Sequence, residues 1–484
     1  MSNSNGASKP HVILIPYPAQ GHVAPLMKLA YNLASHGIKV TFVNTEFIHM
    51  KIMSAMSRET AHHCSINLVA IPNGLESNSS GEQDRKKLIE HGPKYMRVHL
   101  QNLIESINCA NNDTHVTHLI ADISNGWALE VAKKMCIKTV AFVPYALGNL
   151  AMILHAPKLV EAGILDVYGL PIREELISLS KELPTWNMNE LAWSINGDLK
   201  RQKFIYKHFI KNITEHIKIS DSVIANSSYE LEPSAYHLIP NILPIGPLLA
   251  SAHFGMFAGN LCSEDSTCLR WLDQQPTGSV IYAAFGSTVI CNQHQFIELA
   301  HGLAITGRPF LWVVRSDFTM DKEAIEEFMD SDVLKRIQIF GKIVKWAPQE
   351  KVLAHPSIAC FFSHCGWNST IEGVSMGVPF LCWPYIVDQF HNRNYICEAW
   401  KVGLAVNSDE NGIITRHEIK SKIEELVSDE DIKVNSLKLK EMVKKSVGED
   451  GTSYKNLLSL VDQINYYTTR KQSISDGFQT VAKI

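Results

Sequence analysis

The sequence has little charge and no long apolar run. Charged residues make up 19% of its 484 positions, and the formal net charge is −4 at pH 7. Nucleic-acid binding needs a basic surface, which this balance does not offer. No stretch approaches the roughly 20 apolar residues that cross a bilayer, so we expect no stable membrane insertion. Nucleic-acid-binding and membrane-spanning proteins are therefore excluded as classes.

Paired cysteines and targeting signals are also missing. The ten cysteines are scattered singly, without a Cys-x-x-Cys pair. This usage is typical of reduced, mostly buried thiols. The first nine residues lack the charged and apolar regions of a signal peptide, and the end of the chain has no prenylation or retention signal. We therefore expect a cytoplasmic protein, and we take it to be a monomer.

Two catalytic motifs are absent from the places where they would act. Neither half has Gly-x-Gly-x-x-Gly after its first predicted strand, which argues against an NAD-dependent oxidoreductase. No Gly-x-Ser-x-Gly stands at a strand-to-helix elbow, which argues against a serine hydrolase. The sequence also has no His-x-x-x-His zinc helix, and we expect neither a metal nor a cofactor.

Short apolar strands alternate with amphipathic helical segments in two blocks. This alternation is typical of parallel βαβ units with helices on both faces of the sheet. The length also exceeds what one hydrophobic core usually serves, so the sequence predicts an α/β protein with two doubly wound domains. The predicted strands are 11–16, 39–44, 66–71, 118–122, 139–143 and 222–226, then 280–285, 310–314, 341–345, 360–363 and 378–382.

The boundary between the two blocks follows a Pro-rich segment. Residues 240–247 contain three prolines, which neither a helix nor a central strand tolerates well. We therefore predict an N-terminal domain over 1–245, a linker over 246–262 and a C-terminal domain over 263–484 that ends in a helical tail. Residues 144–218 are less regular, and we predict helices and loops around a pocket there.

The segment 346–389 contains the most specific pattern. It opens on Trp-Ala-Pro-Gln, contains His-Cys-Gly-Trp-Asn-Ser and closes on Asp-Gln. In this order it resembles the signature of the plant secondary-product glycosyltransferases, which belong to the family 1 UDP-glycosyltransferases. The resemblance extends to Pro-Ala-Gln-Gly-His at 18–22 and Phe-Gly-Ser-Thr at 285–288. It implies a GT-B fold, in which two Rossmann-like domains face each other across a cleft that binds a UDP-sugar and a small-molecule acceptor.

A diphosphate site is predicted where a buried strand leads into a helix. The apolar run 360–363 precedes a predicted helix over 368–376. The free N–H groups and the positive dipole end of a helix start bind anions. Side chains of His364, Asn368 and Ser369 add donors at that point, and Ser287 is expected to supply another from the Gly-Ser turn.

The remaining donor residues follow the chemistry of a nucleotide sugar. Trp346 offers a flat ring for uracil, Gln349 an amide for the ribose or base, and Glu372 a carboxylate for the ribose diol. Asp388 and Gln389 are the predicted readers of the hexose hydroxyls. The family motif adds two further donor-binding positions, Ala347 and Trp367.

His22 and Asp122 are the predicted catalytic pair. Transfer to an alcohol needs a base for the acceptor proton, and a neutral imidazole suits this role. His22 follows the first strand at a helix start, where the dipole is expected to disfavour the charged ring. Asp122 ends a strand at the carboxyl edge, where ligands bind in such sheets. The family's catalytic His and Asp also fall on these two positions.

The sequence thus predicts an inverting, metal-independent transfer of glucose from UDP-glucose to a hydroxyl of a small, largely apolar acceptor. Taken singly, the residues have ordinary structural explanations, such as a core tryptophan, a buried histidine or an N-capping aspartate. Transfer of galactose, xylose or rhamnose, or a non-catalytic binder of nucleotide sugars or small ligands, stays open. The acceptor also stays open among phenolics, flavonoids, terpenoids, hormones and acyl acids, as does the choice between O-, N- and C-glycosylation.

Overall fold

The computed structural model describes residues 9–56, 65–75, 82–110, 115–195, 197–250, 259–315, 318 and 339–481. Within these residues the chain forms two parallel β-sheets with helices packed against them. The predicted α/β class is therefore confirmed, and so is the presence of two doubly wound units.

The first sheet has seven strands, all paired in parallel. They are β1 (His11–Ile15), β2 (Lys39–Thr45), β3 (Asn67–Ile71), β4 (Val116–Asp122), β5 (Lys138–Val143), β6 (Ser222–Ala225) and β7 (Ile242–Pro244). Their order across the sheet is β3-β2-β1-β4-β5-β6-β7. The order reverses direction between β1 and β4, and such a reversal creates a crevice at the carboxyl ends of the strands.

The second sheet has six parallel strands with the same kind of reversal. They are β8 (Val280–Ala284), β9 (Phe310–Val313), β10 (Gly341–Val344), β11 (Ile358–Ser363), β12 (Phe380–Cys382) and β13 (Gly403–Ala405). Their order is β10-β9-β8-β11-β12-β13, and the reversal lies between β8 and β11. The predicted strands are present within two residues at each end, whereas β7 and β13 were not predicted.

Strand β7 lies in the Pro-rich segment that seemed unsuited to a central strand. It occupies the edge of the first sheet, where it pairs only with β6 among the described strands. An edge strand tolerates the missing N–H of Pro244 because one side of it needs no ladder partner. The sequence argument therefore holds for central strands but did not anticipate an edge strand.

The α-helices connect the strands and cover both faces of each sheet. They are α1 (Gln20–Ser35), α2 (Glu46–Ala55), α3 (Glu82–Ala110), α4 (Gly126–Lys134), α5 (Leu147–Glu161), α6 (Leu199–Ile205), α7 (Lys211–Ile219), α8 (Pro233–Tyr236), α9 (Thr267–Leu272), α10 (Gln293–Ile305), α11 (Gln349–Leu353), α12 (Trp367–Met376), α13 (Gln389–Asn394), α14 (Arg416–Ser428), α15 (Glu430–Val447) and α16 (Thr452–Val481). Single π-helical turns follow α6 at Tyr206–Ile210 and α13 at Tyr395–Ala399.

Alternate residues of each strand enter different hydrophobic clusters. In β1, Ile13 and Ile15 pack on one face of the sheet, whereas Val12 and Leu14 pack on the other. This follows because successive side chains of a β-strand point to opposite faces of the sheet. Because both faces are covered, all five residues of β1 are buried, which explains the continuous apolar run in the sequence.

The C-terminal helix α16 returns to the first domain. Its residues Leu457, Leu460, Val461 and Ile464 belong to the hydrophobic cluster that contains Leu14 of β1, and the Asn456 side chain donates to the Pro244 carbonyl at 2.8 Å. The predicted limits 1–245, 246–262 and 263–484 stay a prediction of domain division along the chain. In space, the helical tail packs against the N-terminal sheet.

Candidate active site

A cavity of about 1260 Å³ lies between the two domains. Its walls come from the segments that follow the carboxyl ends of strands in both sheets, including Tyr17 after β1, Pro144 after β5, Ser287 after β8 and His364 after β11. Both reversal points of strand order therefore open into this cleft. A site here can hold two substrates, one against each domain.

Most of the predicted site residues line this one cavity. Asp122 is the exception, because it is fully buried behind His22. The predicted residues that line the cavity are His22, Ser287, Trp346, Ala347, Gln349, His364, Trp367, Asn368, Ser369, Glu372, Asp388 and Gln389. The fold therefore brings together positions that are more than 300 residues apart in the chain.

His22 and Asp122 form a hydrogen-bonded pair. His22 Nδ1 lies 2.7 Å from Asp122 Oδ2, and the His22 side chain keeps 26% of its surface exposed. The other carboxylate oxygen of Asp122 accepts from the Ser124 backbone N–H at 2.9 Å. The N-cap explanation and the catalytic explanation of Asp122 are therefore compatible, since each uses a different oxygen. With Nδ1 engaged as a donor, Nε2 of His22 is left as the acceptor.

The charge environment of His22 corrects one expectation. The helix start was expected to disfavour the protonated ring. Burial does lower the pKa of His22, but the Asp122 carboxylate outweighs it, and Asp388 acts in the same direction from the second domain. The net result is a pKa of His22 above its usual value. The ring is therefore a stronger base than the helix dipole alone suggested.

The predicted anion site lies at the start of α12. Its N-cap is Gly366, which has no side chain to cap the helix, and the first-turn residues Trp367 to Ser369 line the cavity. His364 packs tightly against two glycines: a Cβ at Gly286 would lie 2.3 Å from His364 Nε2, and one at Gly366 would lie 2.5 Å from it. Gly286 also has a φ of +68°, which glycine adopts without strain. These two glycines make room for the imidazole.

His364 is neutral near pH 7. Burial and the nearby Arg315 guanidinium lower the pKa of His364 to about 4. A neutral ring offers an N–H donor but no full positive charge. If the diphosphate binds here as predicted, His364 can contribute only a hydrogen bond, and the favourable potential must come from the helix start.

Gln349, Ser369 and Glu372 form one network on the second domain. Gln349 Nε2 donates to Ser369 Oγ at 2.9 Å and to Glu372 Oε2 at 2.8 Å, and its Oε1 accepts from the Tyr282 hydroxyl at 3.1 Å. Gln349 starts α11, whereas Ser369 and Glu372 lie on one face of α12. The network fixes the carboxylate that was predicted to bind the ribose.

Two predicted donor residues also make contacts with the first domain. Asn368 Nδ2 donates to the Gly21 carbonyl at 2.6 Å, next to His22 in the chain, and Trp367 Nε1 donates to the Asn226 carbonyl at 2.8 Å. Their polar side-chain groups were expected to face the donor. In the structure they connect the segment 346–389 to the first domain, and sequence reasoning missed this connection.

The predicted hexose readers lie at the start of α13. Asp388 accepts from Asn392 Nδ2 at 2.9 Å. Gln389 Oε1 accepts from the backbone N–H groups of Tyr385 at 2.8 Å and Ile386 at 3.0 Å. The Gln389 oxygen is therefore used to hold its own loop, and the amide NH₂ group is the part that can serve a ligand.

Sequence reasoning also missed the residues that line the first-domain side of the cavity. The Tyr17 ring lies 5.1 Å from the His22 ring and 5.6 Å from the Phe209 ring, measured between centroids. Ile153 and Ile213 line the same cavity. Ile153, Phe209 and Ile213 lie in the segment 144–218 that was predicted to surround a pocket, but no motif singled out these residues or Tyr17. Their side chains make the region next to His22 largely apolar.

In the part of the chain that the structure describes, no group of three or more His, Cys, Asp or Glu residues is placed to hold a metal ion. An Asp-x-Asp triplet, which could supply two carboxylates to a metal ion, occurs at 429–431. There Asp429 is the N-cap of α15 and accepts from the Ile432 N–H at 2.9 Å. A second such triplet, 330–332, lies outside the described residues. None of the helices that the structure describes is both long and apolar enough to cross a membrane.

Comparisons with known families match both parts of the chain. A model described as "UDP-glucoronosyl and UDP-glucosyl transferase" matches residues 205–447, and one described as "Glycosyltransferase, N-terminal domain" matches residues 9–63. The first covers the whole donor motif. The second covers the segment that contains His22.

The similarity to known proteins and solved structures extends over nearly the full length of this chain. The chain is 40% identical to UDP-glycosyltransferase 83A1 of Arabidopsis thaliana over 472 residues, which span 96% of this chain and 98% of that protein. The structure of Os79 from O. sativa in complex with UDP gives a TM-score of 0.75 at 27% identity, covering 94% of this chain and 100% of that one. A UDP-glucosyltransferase from Polygonum tinctorium capable of glucosylating indoxyl, in complex with 3,4-dichloroaniline, gives a TM-score of 0.78 at 27% identity, covering 95% and 99%. The chain therefore belongs to the plant family 1 UDP-glycosyltransferases and has the GT-B fold that its motif implied.

Proposed function

We propose that the protein transfers glucose from UDP-glucose to a hydroxyl of a small, largely apolar acceptor, with inversion and without a metal. The observation that carries this proposal is the placement of His22. Its ring lies in the same cleft as the donor motif and is hydrogen-bonded to a fully buried carboxylate. A binding protein has no need for such a pair next to the sugar site.

The proposed reaction uses His22 as a general base. Asp122 holds Nδ1–H, so Nε2 accepts the proton of the acceptor hydroxyl as its oxygen attacks the anomeric carbon. The new C–O bond forms as the bond to the β-phosphate breaks, and that electron pair leaves with UDP. Attack opposite the leaving group converts an α-linked donor into a β-glucoside.

The donor side supports a nucleotide sugar. The start of α12 and the His364 imidazole are suited to the diphosphate. The fixed Glu372 carboxylate is suited to the ribose diol. Asp388 and the Gln389 amide are suited to hexose hydroxyls, and we infer glucose because the closing Gln389 resembles that of the glucose-using members. The similar enzyme from Polygonum tinctorium is itself described as a UDP-glucosyltransferase.

The acceptor side supports an apolar substrate with few polar groups. Tyr17, Ile153, Phe209 and Ile213 line the cavity beside His22. The Tyr145 hydroxyl is buried there and has no hydrogen-bond partner among the described residues. A wall of this kind favours a flat or bulky apolar body that presents one hydroxyl to the base. Phenolics and terpenoids both meet this description.

The test is an assay with UDP-glucose and a mixed panel of phenols and terpenoid alcohols, with products identified by mass. The expected result is a mass gain of one hexose and a β-anomeric coupling in the NMR spectrum of the product. A protein that binds UDP-glucose tightly, but neither glycosylates any panel member nor releases UDP slowly in water, would be the non-catalytic binder.

Metal removal is expected to leave the activity unchanged. In the proposed mechanism the charge on the leaving UDP is met by the helix start at Gly366 and by the His364 and Ser369 donors. The measurement is the initial rate of glucoside formation with excess EDTA and after dialysis against the chelator. Loss of activity that only added Mg²⁺ or Mn²⁺ restores would contradict this part of the proposal.

Asp122→Asn is expected to move the pH profile toward lower pH. Because Asp122 raises the pKa of His22, its carboxylate favours the protonated ring. The base must be neutral to accept a proton, so the acid limb of kcat/KM follows the His22 pKa. An asparagine lowers the pKa of His22, so the acid limb moves to lower pH. The maximal rate also falls, because the carboxylate no longer supports the imidazole.

The measurement for Asp122→Asn is kcat/KM between pH 5 and 9 with an aliphatic alcohol, which does not ionise in this range. Ser124→Ala is the matched control, since it alters the neighbouring residue but keeps the backbone N–H that Asp122 caps. A profile that keeps its acid limb in place would show that the Asp122 carboxylate does not control the pKa of the base.

A further inference from the structure

Lys28 is a buried cation that reaches from the first domain into the donor half of the cleft. It lies on α1, between the buried residues Met27 and Leu29, and its own exposed fraction is 3%. Its Nζ lies 2.7 Å from Glu350 Oε1 and 3.0 Å from Glu372 Oε1. Both carboxylates belong to the second domain, on α11 and α12, so the pairs cross the domain interface.

We propose that Lys28 is a positioning residue of the donor site, which keeps the Glu372 carboxylate ionised and correctly oriented to accept the ribose hydroxyls of the UDP-sugar. This inference rests on the proposed function, in which Glu372 binds the ribose. It assigns a residue of the N-terminal domain to donor binding, outside the motif at 346–389.

The geometry leaves room for the ribose. Lys28 occupies one side of Oε1, and Gln349 Nε2 donates to Oε2 at 2.8 Å. Each carboxylate oxygen accepts about two hydrogen bonds, so one acceptor direction remains on each oxygen. Two adjacent ribose hydroxyls can use these two directions while Lys28 and Gln349 stay in place.

The charges around Glu372 show why a cation is needed there. Glu350 and Glu264 line the same cavity, and the Tyr282 hydroxyl also faces this region. Burial raises the pKa of Glu372, Lys28 lowers it and Glu350 raises it again. The net pKa of Glu372 stays above its ordinary value, and Lys28 is the cation that limits this rise. Without Lys28, two buried carboxylates would remain close together, and their repulsion would raise the pKa of one of them further.

A protonated Glu372 is a poorer partner for the ribose. It presents one O–H donor and loses part of its acceptor capacity. UDP affinity is therefore present above the pKa of Glu372 and is lost as the pH falls through it. Removing Lys28 moves that loss to higher pH, because the ionised form is no longer stabilised by the ammonium group.

The test is the pH dependence of UDP binding to Lys28→Met, measured by calorimetry between pH 6 and 9 on the full chain. Methionine keeps the length and flexibility of the side chain but removes its charge. We expect UDP to bind about tenfold more weakly at pH 7, as for a shift of one pKa unit, with a smaller deficit at pH 9. The KM for UDP-glucose should rise in parallel, while kcat at saturation changes little. Lys28→Arg should restore binding.

Two further variants keep the test decisive. Lys351→Met removes a positive charge from an exposed residue of the same cavity that makes no ion pair with Glu372, and its Kd profile should keep the wild-type shape. Glu350→Gln removes the carboxylate that raises the pKa of Glu372, so its acid limb should move to lower pH. This opposite shift can be measured even if Lys28→Met does not fold.

Equal UDP binding by Lys28→Met across the pH range would overturn the inference, because Lys28 would then contribute nothing to the donor site. Tighter binding would also overturn it, because Lys28 would then compete with the ribose. A shift of the Glu350→Gln limb to higher pH would also overturn it. Failure of the wild-type chain to bind UDP would instead contradict the proposed function, so the two failures are distinguishable.

Discussion

His22→Ala is expected to lower kcat for glucosyl transfer by about 10²–10⁴-fold, the range for loss of a well-placed general base. The imidazole is held by Asp122 at 2.7 Å, and its Nε2 is the proton acceptor in the proposed reaction. In the proposal, the groups that contact the diphosphate and the ribose belong to the second domain. The Kd for UDP should therefore stay near the wild-type value.

The measurement pairs steady-state kinetics with UDP calorimetry on the same preparation. His36→Ala is the matched control, because His36 is an exposed histidine at the C-terminal end of the same helix α1, and it should keep full activity. A nitrophenol acceptor, which ionises without help, should lose less rate than an aliphatic alcohol. Wild-type kcat of His22→Ala with the alcohol would remove His22 from the role of base.

The donor motif could be predicted because its residues are close together in the sequence. From Trp346 to Gln389, the helix α11, two successive strand-helix units and the loops that join them carry the predicted donor-side residues, and all of these residues line the cavity. Local sequence order is enough to place an anion at a helix start and a carboxylate one turn later. The same reasoning places Asp122 at the carboxyl end of β4 and His22 in the first turn of α1, after β1.

Contacts between the domains could not be predicted in this way. Lys28 follows His22 by less than two helical turns, yet its partners Glu350 and Glu372 are more than 300 residues away. The side chains of Trp367 and Asn368 likewise donate hydrogen bonds to backbone carbonyls of the first domain. A single sequence carries no signal for such pairs, because they depend on how the two domains pack against each other, and sequence patterns describe each domain only by itself.

The irregular segment 144–218 was predicted only as helices and loops around a pocket. In the structure, side chains of this segment contact the second domain. The Trp186 ring stacks on His391 of α13 at 4.0 Å between centroids, and Glu190 pairs with Arg393 at 3.0 Å. Because these contacts hold loops rather than regular elements, hydrophobic periodicity does not reveal them.

Gln389→Glu is expected to lower kcat/KM for UDP-glucose by roughly ten- to a hundredfold. The Gln389 oxygen accepts from the Tyr385 and Ile386 N–H groups, and a glutamate oxygen can keep both bonds. The substitution therefore replaces only the NH₂ donor that is proposed to read the sugar. A hexose hydroxyl left without its donor partner costs about 1–3 kcal/mol, and the added negative charge is close to Asp388.

The decisive quantity is the ratio of kcat/KM for UDP-glucose to that for UDP-galactose, which differ only in the orientation of one hydroxyl. If Gln389 reads the hexose, this ratio should fall in Gln389→Glu, while the Kd for UDP, which has no hexose, should stay the same. Glu372→Ala is the contrasting variant, because loss of the ribose carboxylate should weaken both donors equally and keep the ratio. A Gln389→Glu enzyme with the wild-type ratio would show that Gln389 only holds its loop, and the choice of glucose would then depend on Asp388 or on residues outside the motif.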